Sequence, residues 1–177
     1  MAEISGGDKL RAALDDIARN LKRGGTVKVG FLEGATYPDG TSVPLVAALN
    51  EFGHGVKSKE GDYYQLPRPF FRRMVAEKSG EWPKAIEGLL VANNYDARKV
   101  LELTGAAIAG QLRQSIVDLV DPPLAASTIA RKGSSKPLVD TGHMLASVEY
   151  EVESGGSVGQ YHDPKMTGTF TNKKATP

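Results

Sequence analysis

The segment from Asp96 to Val120 constrains the fold of this chain more than any other part of it. It contains no proline, and its large apolar residues recur at spacings of three, four or seven, which places them on one side of a helix. They are Leu101, Ile108, Leu112, Ile116, Leu119 and Val120. At ~1.5 Å per residue the helix would run roughly 37 Å, so we predict a long core helix that crosses a small domain. Its solvent side carries Arg98, Glu102, Arg113 and Gln114.

Two glycines lie in the middle of this helix, Gly105 and Gly110. Each costs on the order of 1 kcal/mol against alanine, so we expect another backbone to approach closely at these positions. The helix should end before Pro122 and Pro123, because a proline disfavours the helical conformation in the preceding residue and has no N–H to extend the ladder.

Shorter elements surround the long helix in the sequence. Asp8 is a candidate N-cap for an amphipathic helix through Lys22. Its apolar face is formed by Leu10, Leu14, Ile17, Ala18 and Leu21. Further helices are predicted over Leu45 to Phe52, from Phe70 onward, and over Lys84 to Val91. Alternation of apolar and polar residues predicts strands over Thr26 to Leu32 and Ser147 to Val152.

These elements predict an α+β fold in which a small antiparallel sheet is packed by the long helix and several shorter helices. Residues 1–153 form a single domain, and residues 154–177 form an extended C-terminal arm rich in Gly, Ser, Thr and Lys. The stretch from Gly53 to Gln65 shows no periodicity and is predicted as an exposed loop. Asp140 or Thr141 can cap a brief turn that leads into the second strand.

Composition excludes several classes of protein. The chain has 177 residues and a formal net charge of +1, so no global field attracts it to nucleic acid or to a membrane surface. It has no cysteine, which excludes disulfides and thiolate chemistry and is compatible with a reducing cytoplasm. No apolar run approaches ~18 residues, and a basic start followed by an apolar run is missing, so neither a membrane span nor a signal peptide is expected.

Residues that could carry catalysis are few. None of the three histidines, His54, His143 and His162, stands at a metal-ligand spacing, so no metal or other cofactor is expected. Asp140, His143 and Ser147 could be interpreted as the triad of a hydrolase. A cluster within eight residues seldom supplies the three directions that a triad needs, so a cap and turn is the favoured interpretation.

A basic and aromatic cluster contains Arg68, Arg72 and Arg73 beside Phe70 and Phe71. These arginines could contact phosphates, which keeps a DNA-binding regulatory module as an alternative. The favoured interpretation places both phenylalanines in the core and leaves the arginines solvated or paired to acids.

Three stretches are distinctive in combination. They are Ala48-Leu49-Asn50-Glu51-Phe52-Gly53-His54-Gly55, Leu66-Pro67-Arg68-Pro69-Phe70-Phe71-Arg72 and Leu138-Val139-Asp140-Thr141-Gly142-His143-Met144-Leu145-Ala146-Ser147-Val148. In that order they resemble the tail-completion and virion-morphogenesis proteins of tailed bacteriophages, and the resemblance spans most of the chain from Val27 to Val152. Each stretch also has a structural role. Phe52 can tuck under the sheet while Gly53 turns the chain, the prolines fix the approach of the next helix to the core, and Asp140 or Thr141 caps the turn that feeds the strand.

The resemblance implies a structural protein of the virion and not an enzyme. It implies a ring at the neck or upper tail, around the channel through which DNA passes, assembled in the host cytoplasm. A homo-oligomer is expected, with a hexamer as the expected ring, other phage neck and tail proteins as partners, and nonspecific contact with the DNA in the channel as a compatible feature. Tail terminator, head-tail joining protein and collar are not distinguished by these stretches.

Two segments are expected to make the main subunit and partner contacts, the loop from Gly53 to Gln65 and the arm after Ser154. Both are poor in core residues but carry isolated aromatic side chains, which interfaces favour. The candidate contact residues, including two arginines of the basic cluster, are Tyr63, Tyr64, Arg68, Arg72, Tyr161 and Phe170.

Overall fold

A computed structural model describes residues 7–57, 61–124, 128–130, 133, 135–139 and 142–154. The helices are α1 (Gly7–Lys22), α2 (Val43–Phe52), α3 (Phe70–Lys78), α4 (Trp82–Ala92), α5 (Ala97–Asp118) and α6 (His143–Ala146), with a 3-10 turn at Ser79–Glu81. The strands are β1 (Gly25–Phe31), β2 (His54–Val56), β3 (Tyr63–Gln65) and β4 (Val148–Ser154). The predicted α+β fold is confirmed, with a small antiparallel sheet packed by one long helix and several shorter ones. Of the C-terminal arm, Ser154 ends β4, and residues 155–177 lie outside the described residues.

The main sheet pairs β1 with β4 in antiparallel register along their full length. Gly25 lies opposite Ser154, and Phe31 lies opposite Val148. A second two-stranded sheet joins β2 to β3, with His54 opposite Gln65, so the stretch predicted as an exposed loop contains a short β-hairpin instead. The two strands have three residues each, which is too short for an alternating pattern to be visible in the sequence.

The long helix α5 lies across the main sheet and confirms the prediction of a core helix. Its N-cap is Asp96, whose side chain accepts a hydrogen bond from the Lys99 N–H at 3.2 Å. A Cβ atom at Gly105 would lie 2.6 Å from a ring carbon of Tyr150 and 2.8 Å from a methyl of Val27. The absence of a side chain at Gly105 therefore lets these side chains of the sheet pack directly on the helix. These nearest atoms belong to side chains, so the expected approach of another backbone is wrong in detail at Gly105. It is wrong altogether at Gly110, which has nothing within 4 Å of the same position.

The hydrophobic core joins helices and strands that are far apart in the sequence. Its largest fully buried side chains are Phe70, Leu112, Ile116, Val43 and Val148. The rings of Phe31 and Phe70 meet edge to face with centroids 6.2 Å apart, which connects β1 to α3. The Ser115 hydroxyl donates to the Phe70 carbonyl at 2.7 Å and connects α3 to α5.

Two expected caps differ from the structure. Asp8 lies inside α1, which begins at Gly7, and is not its N-cap. The N-cap of α6 is Gly142, at φ 77° and without a side-chain hydrogen bond, while Asp140 and Thr141 lie outside the described residues. Glycine adopts this left-handed conformation without a Cβ penalty, so the backbone at Gly142 directs the chain into the turn.

Candidate subunit interface

The helix α3 receives its N-terminal cap from another helix. Its own N-cap position is Pro69, which makes no side-chain cap hydrogen bond. The carboxylate of Glu51, at the end of α2, instead accepts from the backbone N–H groups of Phe71 at 2.9 Å and Arg72 at 3.1 Å. Glu51 is 5% exposed, so these hydrogen bonds and the positive end of the α3 dipole compensate a buried charge.

Arg72 completes this arrangement, because its guanidinium donates to the Glu51 carboxylate at 2.8 Å and to the Glu51 carbonyl at 2.9 Å. The same guanidinium lies over the ring of Phe52, 5.0 Å from its centroid. The expectation that Phe52 tucks under the sheet is wrong, since its residue is 61% exposed. The Arg72 guanidinium contacts one side of the Phe52 ring, and much of the ring remains open to solvent.

The backbone conformation and close contacts at position 53 explain why a glycine follows Phe52. The φ of Gly53 is 75°, and a Cβ atom there would lie 2.7 Å from the Gln65 carbonyl oxygen and 2.8 Å from the Tyr64 hydroxyl. The end of α2 is therefore pressed against the β2–β3 hairpin. Any side chain at Gly53 would push the hairpin away from α2.

Arg68 lies in the chain that leads into α3. Its backbone N–H donates to the Asn50 carbonyl at 2.7 Å, and its guanidinium reaches the Asn50 side chain at 3.4 Å. The residue is 7% exposed, so the expectation that it is solvated is wrong, and burial lowers the pKa of its guanidinium. In contrast, Arg72 is paired to Glu51 and Arg73 to Glu77. For these two residues the expectation of arginines paired to acids is confirmed.

An apolar groove lies between α2 and α3, beside the end of β1. We call it the α2–α3 groove, and it has a volume of about 240 Å³. Its walls are formed by Phe31, Pro44, Ala47, Ala48, Phe52, Phe70 and Phe71, with Glu51 and Arg72 also lining it. Small-molecule sites usually measure ~300–1,000 Å³, so the groove is better sized for a few side chains than for a cofactor.

The β2–β3 hairpin places two predicted contact residues on the surface. Tyr63 and Tyr64 are 55% and 58% exposed. The Tyr64 hydroxyl donates to the Phe52 carbonyl at 3.3 Å, so the hairpin continues the surface of the α2–α3 groove. The remaining predicted contacts, Tyr161 and Phe170, lie outside the described residues.

A further exposed apolar surface is on α1, a helix without a buried residue. We call the side formed by Leu10, Leu14, Ile17 and Leu21 the α1 stripe. Leu10, Leu14 and Leu21 are 63%, 56% and 44% exposed. Amphipathic helices normally bury such a side, so an unpartnered stripe on the described chain indicates an interaction surface.

Of the three triad candidates the structure describes His143 and Ser147, and it does not join their side chains. His143 contacts the Thr36 carbonyl through Nε2 at 2.8 Å, and its ring lies 4.9 Å from that of Tyr37. The Ser147 hydroxyl donates to the His143 carbonyl at 2.9 Å, so this hydroxyl is engaged with the backbone of its own turn and not with the imidazole. Asp140 is not among the described residues.

The described part of the chain offers neither a metal-binding cluster nor a helix that could cross a membrane. No three His, Cys, Asp or Glu side chains there form a group that could hold a metal ion. Among the described helices, none has both the length and the apolar character needed to cross a bilayer. Comparison with protein-family models, curated proteins and solved structures finds no significant match to this chain.

Sequence reasoning missed the role of Glu51 and the exposure of Phe52. One signal for Glu51 was present: α3 is preceded by Pro69, which has no side-chain acceptor, so the first N–H groups of that helix require an acceptor from elsewhere. No comparable signal marks Phe52. A phenylalanine at the end of an apolar helix has the same local pattern whether it is buried or exposed.

Proposed function

We propose that this chain is a structural protein of a tailed phage virion, which forms a ring at the neck or upper tail around the DNA channel. Its role there is tail completion, tail termination or head-tail joining. The proposal starts from the three stretches that resemble the tail-completion and virion-morphogenesis proteins. The proposal requires that the three stretches act as one functional unit. The contacts between the stretches support this.

The observation that carries the proposal is the packing of these stretches against one another. The first provides Asn50 and Glu51, and the second provides the backbone N–H groups of Arg68, Phe71 and Arg72 that they bind. The third contributes Leu138, Met144 and Val148 to the same hydrophobic cluster as Phe70. The three stretches therefore have a shared structural purpose in this fold and need no substrate to explain them.

The surface supports an interaction protein as well. Exposed aromatic and leucine side chains cover the hairpin, the α2–α3 groove and the α1 stripe, and such patches commonly mark protein interfaces. The arginines of the basic cluster are engaged internally, with Arg68 buried and Arg72 and Arg73 paired to acids. This favours protein partners over DNA as the principal contact, with DNA touched only nonspecifically in the channel.

The first test is the set of genes beside the one that encodes this chain. Capsid, portal, tail-tube or tail-sheath genes are expected there, and metabolic genes alone would contradict the proposal. The second test is a phage with this gene interrupted, examined by electron microscopy. Heads and tails that remain separate, or tails of irregular length, are expected, whereas normal infectious particles would rule out the proposed role.

The phage with the interrupted gene also tests the alternative that this chain is a hydrolase. A copy of the gene with His143→Ala should restore particle assembly if the chain is structural. Failure of this variant to restore particles, together with loss of a hydrolytic activity that the purified wild-type chain displays, would favour the hydrolase.

A further inference from the structure

The β2–β3 hairpin is weakly attached to the rest of the domain. Its strands have three residues each, and neither strand contains a buried residue. Within the described part of the chain, neither strand packs extensively on another helix or strand. The Tyr64 hydroxyl donates to the Phe52 carbonyl at 3.3 Å, and the Gln65 carbonyl lies close to Gly53. Isolated two-stranded hairpins are marginal in water, so little packing holds this one closed.

This hairpin nevertheless helps to bury a charged group, the guanidinium of Arg68. The guanidinium lies between Asn50 of α2 and Gln65 of β3. It donates to the Asn50 side-chain oxygen at 3.4 Å, and the Gln65 amide oxygen, in the orientation that satisfies both groups, accepts from it at 3.1 Å. Arg68 is 7% exposed, so the groups around it exclude nearly all water.

The buried guanidinium lacks the partners that normally compensate a charge. None of the ion pairs among the described residues includes Arg68, and its Nε has no hydrogen-bond partner there. The carboxylate of Glu51 is engaged by Arg72 and by the first N–H groups of α3. Amide oxygens compensate a buried cation less well than a carboxylate does, and burial lowers the pKa of the Arg68 guanidinium. Hydration of Arg68 therefore opposes closure of the hairpin.

We propose that the β2–β3 hairpin is a cover over Arg68 that opens by local unfolding, and that hydration of the guanidinium promotes this opening. In the closed state the cation is buried beneath two exposed tyrosines, Tyr63 and Tyr64. In the open state the cation joins the same surface, where a carboxylate of a protein partner can pair with it. The opening is a property of the isolated domain and does not rest on the proposed function.

The connections on either side of the hairpin confine the motion to its two strands. The chain enters through Gly53, and Pro67 restricts the backbone where it leaves. Beyond Pro67, the Arg68 N–H is held by the Asn50 carbonyl at 2.7 Å, and the start of α3 is held by Glu51. Segments with few buried apolar contacts open at a lower free energy than the whole domain, so the hairpin can open while α2 and α3 stay packed.

Hydrogen exchange of backbone amides tests the opening. The amides of β2 and β3 report the hairpin, and the amides of α5, which lies in the core, report unfolding of the whole domain. Low concentrations of urea should leave the hairpin rates unchanged and raise the α5 rates, because a local opening exposes little surface. Hairpin amides that follow the α5 amides in urea would overturn the proposal.

Variants of Arg68 test the role of its charge. Arg68→Met keeps much of the side-chain volume and removes the charge, so the hairpin amides should exchange about tenfold more slowly than in wild type. Arg68→Lys keeps the charge and should exchange at least as fast as wild type. The control is Arg73→Met, at an exposed ion pair with Glu77, which should leave the hairpin rates unchanged.

The sign of the Arg68→Met effect separates this proposal from a purely structural role. If the guanidinium is a clamp that ties Asn50 to Gln65, its removal would make the hairpin amides exchange faster. Faster or unchanged exchange in Arg68→Met would therefore overturn the proposal. Slower exchange in both Arg68→Met and Arg68→Lys would also overturn it, because the charge would then not be the cause.

A second measurement needs no variant. Phenylglyoxal modifies guanidinium groups that water can reach, and mass spectrometry locates the modified arginines. In the wild-type chain Arg68 should react more slowly than the exposed Arg11, at a rate that low urea does not change. Reaction of Arg68 only at urea concentrations that unfold α5 would show that the hairpin does not open by itself and would overturn the proposal.

Discussion

Arg72 holds Glu51 through two separate hydrogen bonds, from Nε to the carboxylate at 2.8 Å and from Nη2 to the backbone carbonyl at 2.9 Å. The carboxylate also accepts the N–H groups of Phe71 and Arg72, so the end of α2 and the start of α3 form one rigid corner. The α2–α3 groove is built on this corner. The stability of the corner and the shape of the groove therefore depend on the same buried carboxylate.

Glu51→Ala should destabilise the domain by about 2–3 kcal/mol. It leaves two N–H groups of α3 without their acceptor and removes the carboxylate partner of Arg72. Glu51→Gln should cost less, because one oxygen remains to accept. Urea unfolding checks both variants, with Glu77→Ala as the control: its carboxylate makes a surface ion pair with Arg73, and its loss should produce no clear change. Equal effects of Glu51→Ala and Glu77→Ala would contradict this account.

The two glycines of α5 should respond to alanine in opposite directions. Gly105→Ala forces a Cβ atom against Tyr150 and Val27 and should cost about 1–3 kcal/mol, because a packed helix and sheet must move apart. Gly110→Ala meets nothing within 4 Å and should stabilise the domain by up to about 1 kcal/mol through helix propensity. Thermal unfolding of the two variants side by side is the measurement. Destabilisation by Gly110→Ala would mean that other atoms fill the space into which the new methyl group would point.

The hairpin tyrosines should matter for assembly more than for folding. Tyr63→Ser removes an exposed ring and should leave the melting temperature within a few degrees of wild type while it reduces the yield of complete particles. Tyr64→Phe is the matched control: it keeps the ring and removes only the hydroxyl that donates to the Phe52 carbonyl. Complementation of an interrupted phage gene measures assembly. Full complementation by Tyr63→Ser would remove Tyr63 from the contact residues.

Truncation after Glu153 tests the proposed role of the C-terminal arm and of Tyr161 and Phe170 within it. The described core lies before this point, so the melting temperature should change little. Assembly should be weakened strongly, because an arm that orders on a partner must offset ~1–2 kcal/mol of backbone entropy per residue with contacts that exist only in the assembly. Truncated protein that joins heads to tails as well as the full chain would show that the arm makes no required contact.

Much of the fold follows from local patterns along the chain. The long apolar periodicity of α5 and the alternation in β1 and β4 each predict an element, because helices and strands impose their own spacing on buried residues. Sequence alone therefore determined the long helix, the main shorter helices, the two strands of the main sheet and the α+β class, but not the short β2–β3 hairpin.

The tertiary structure decided which of these residues are exposed and which are paired. Glu51 meets Phe71 across twenty residues of sequence, Arg68 is buried against Asn50, and Phe52 faces outward under Arg72. Each outcome depends on a partner brought close only when α2, α3 and the hairpin pack together. A local pattern specifies how a residue is spaced from its neighbours, but burial, charge pairing and close approach depend on atoms that are distant in the sequence.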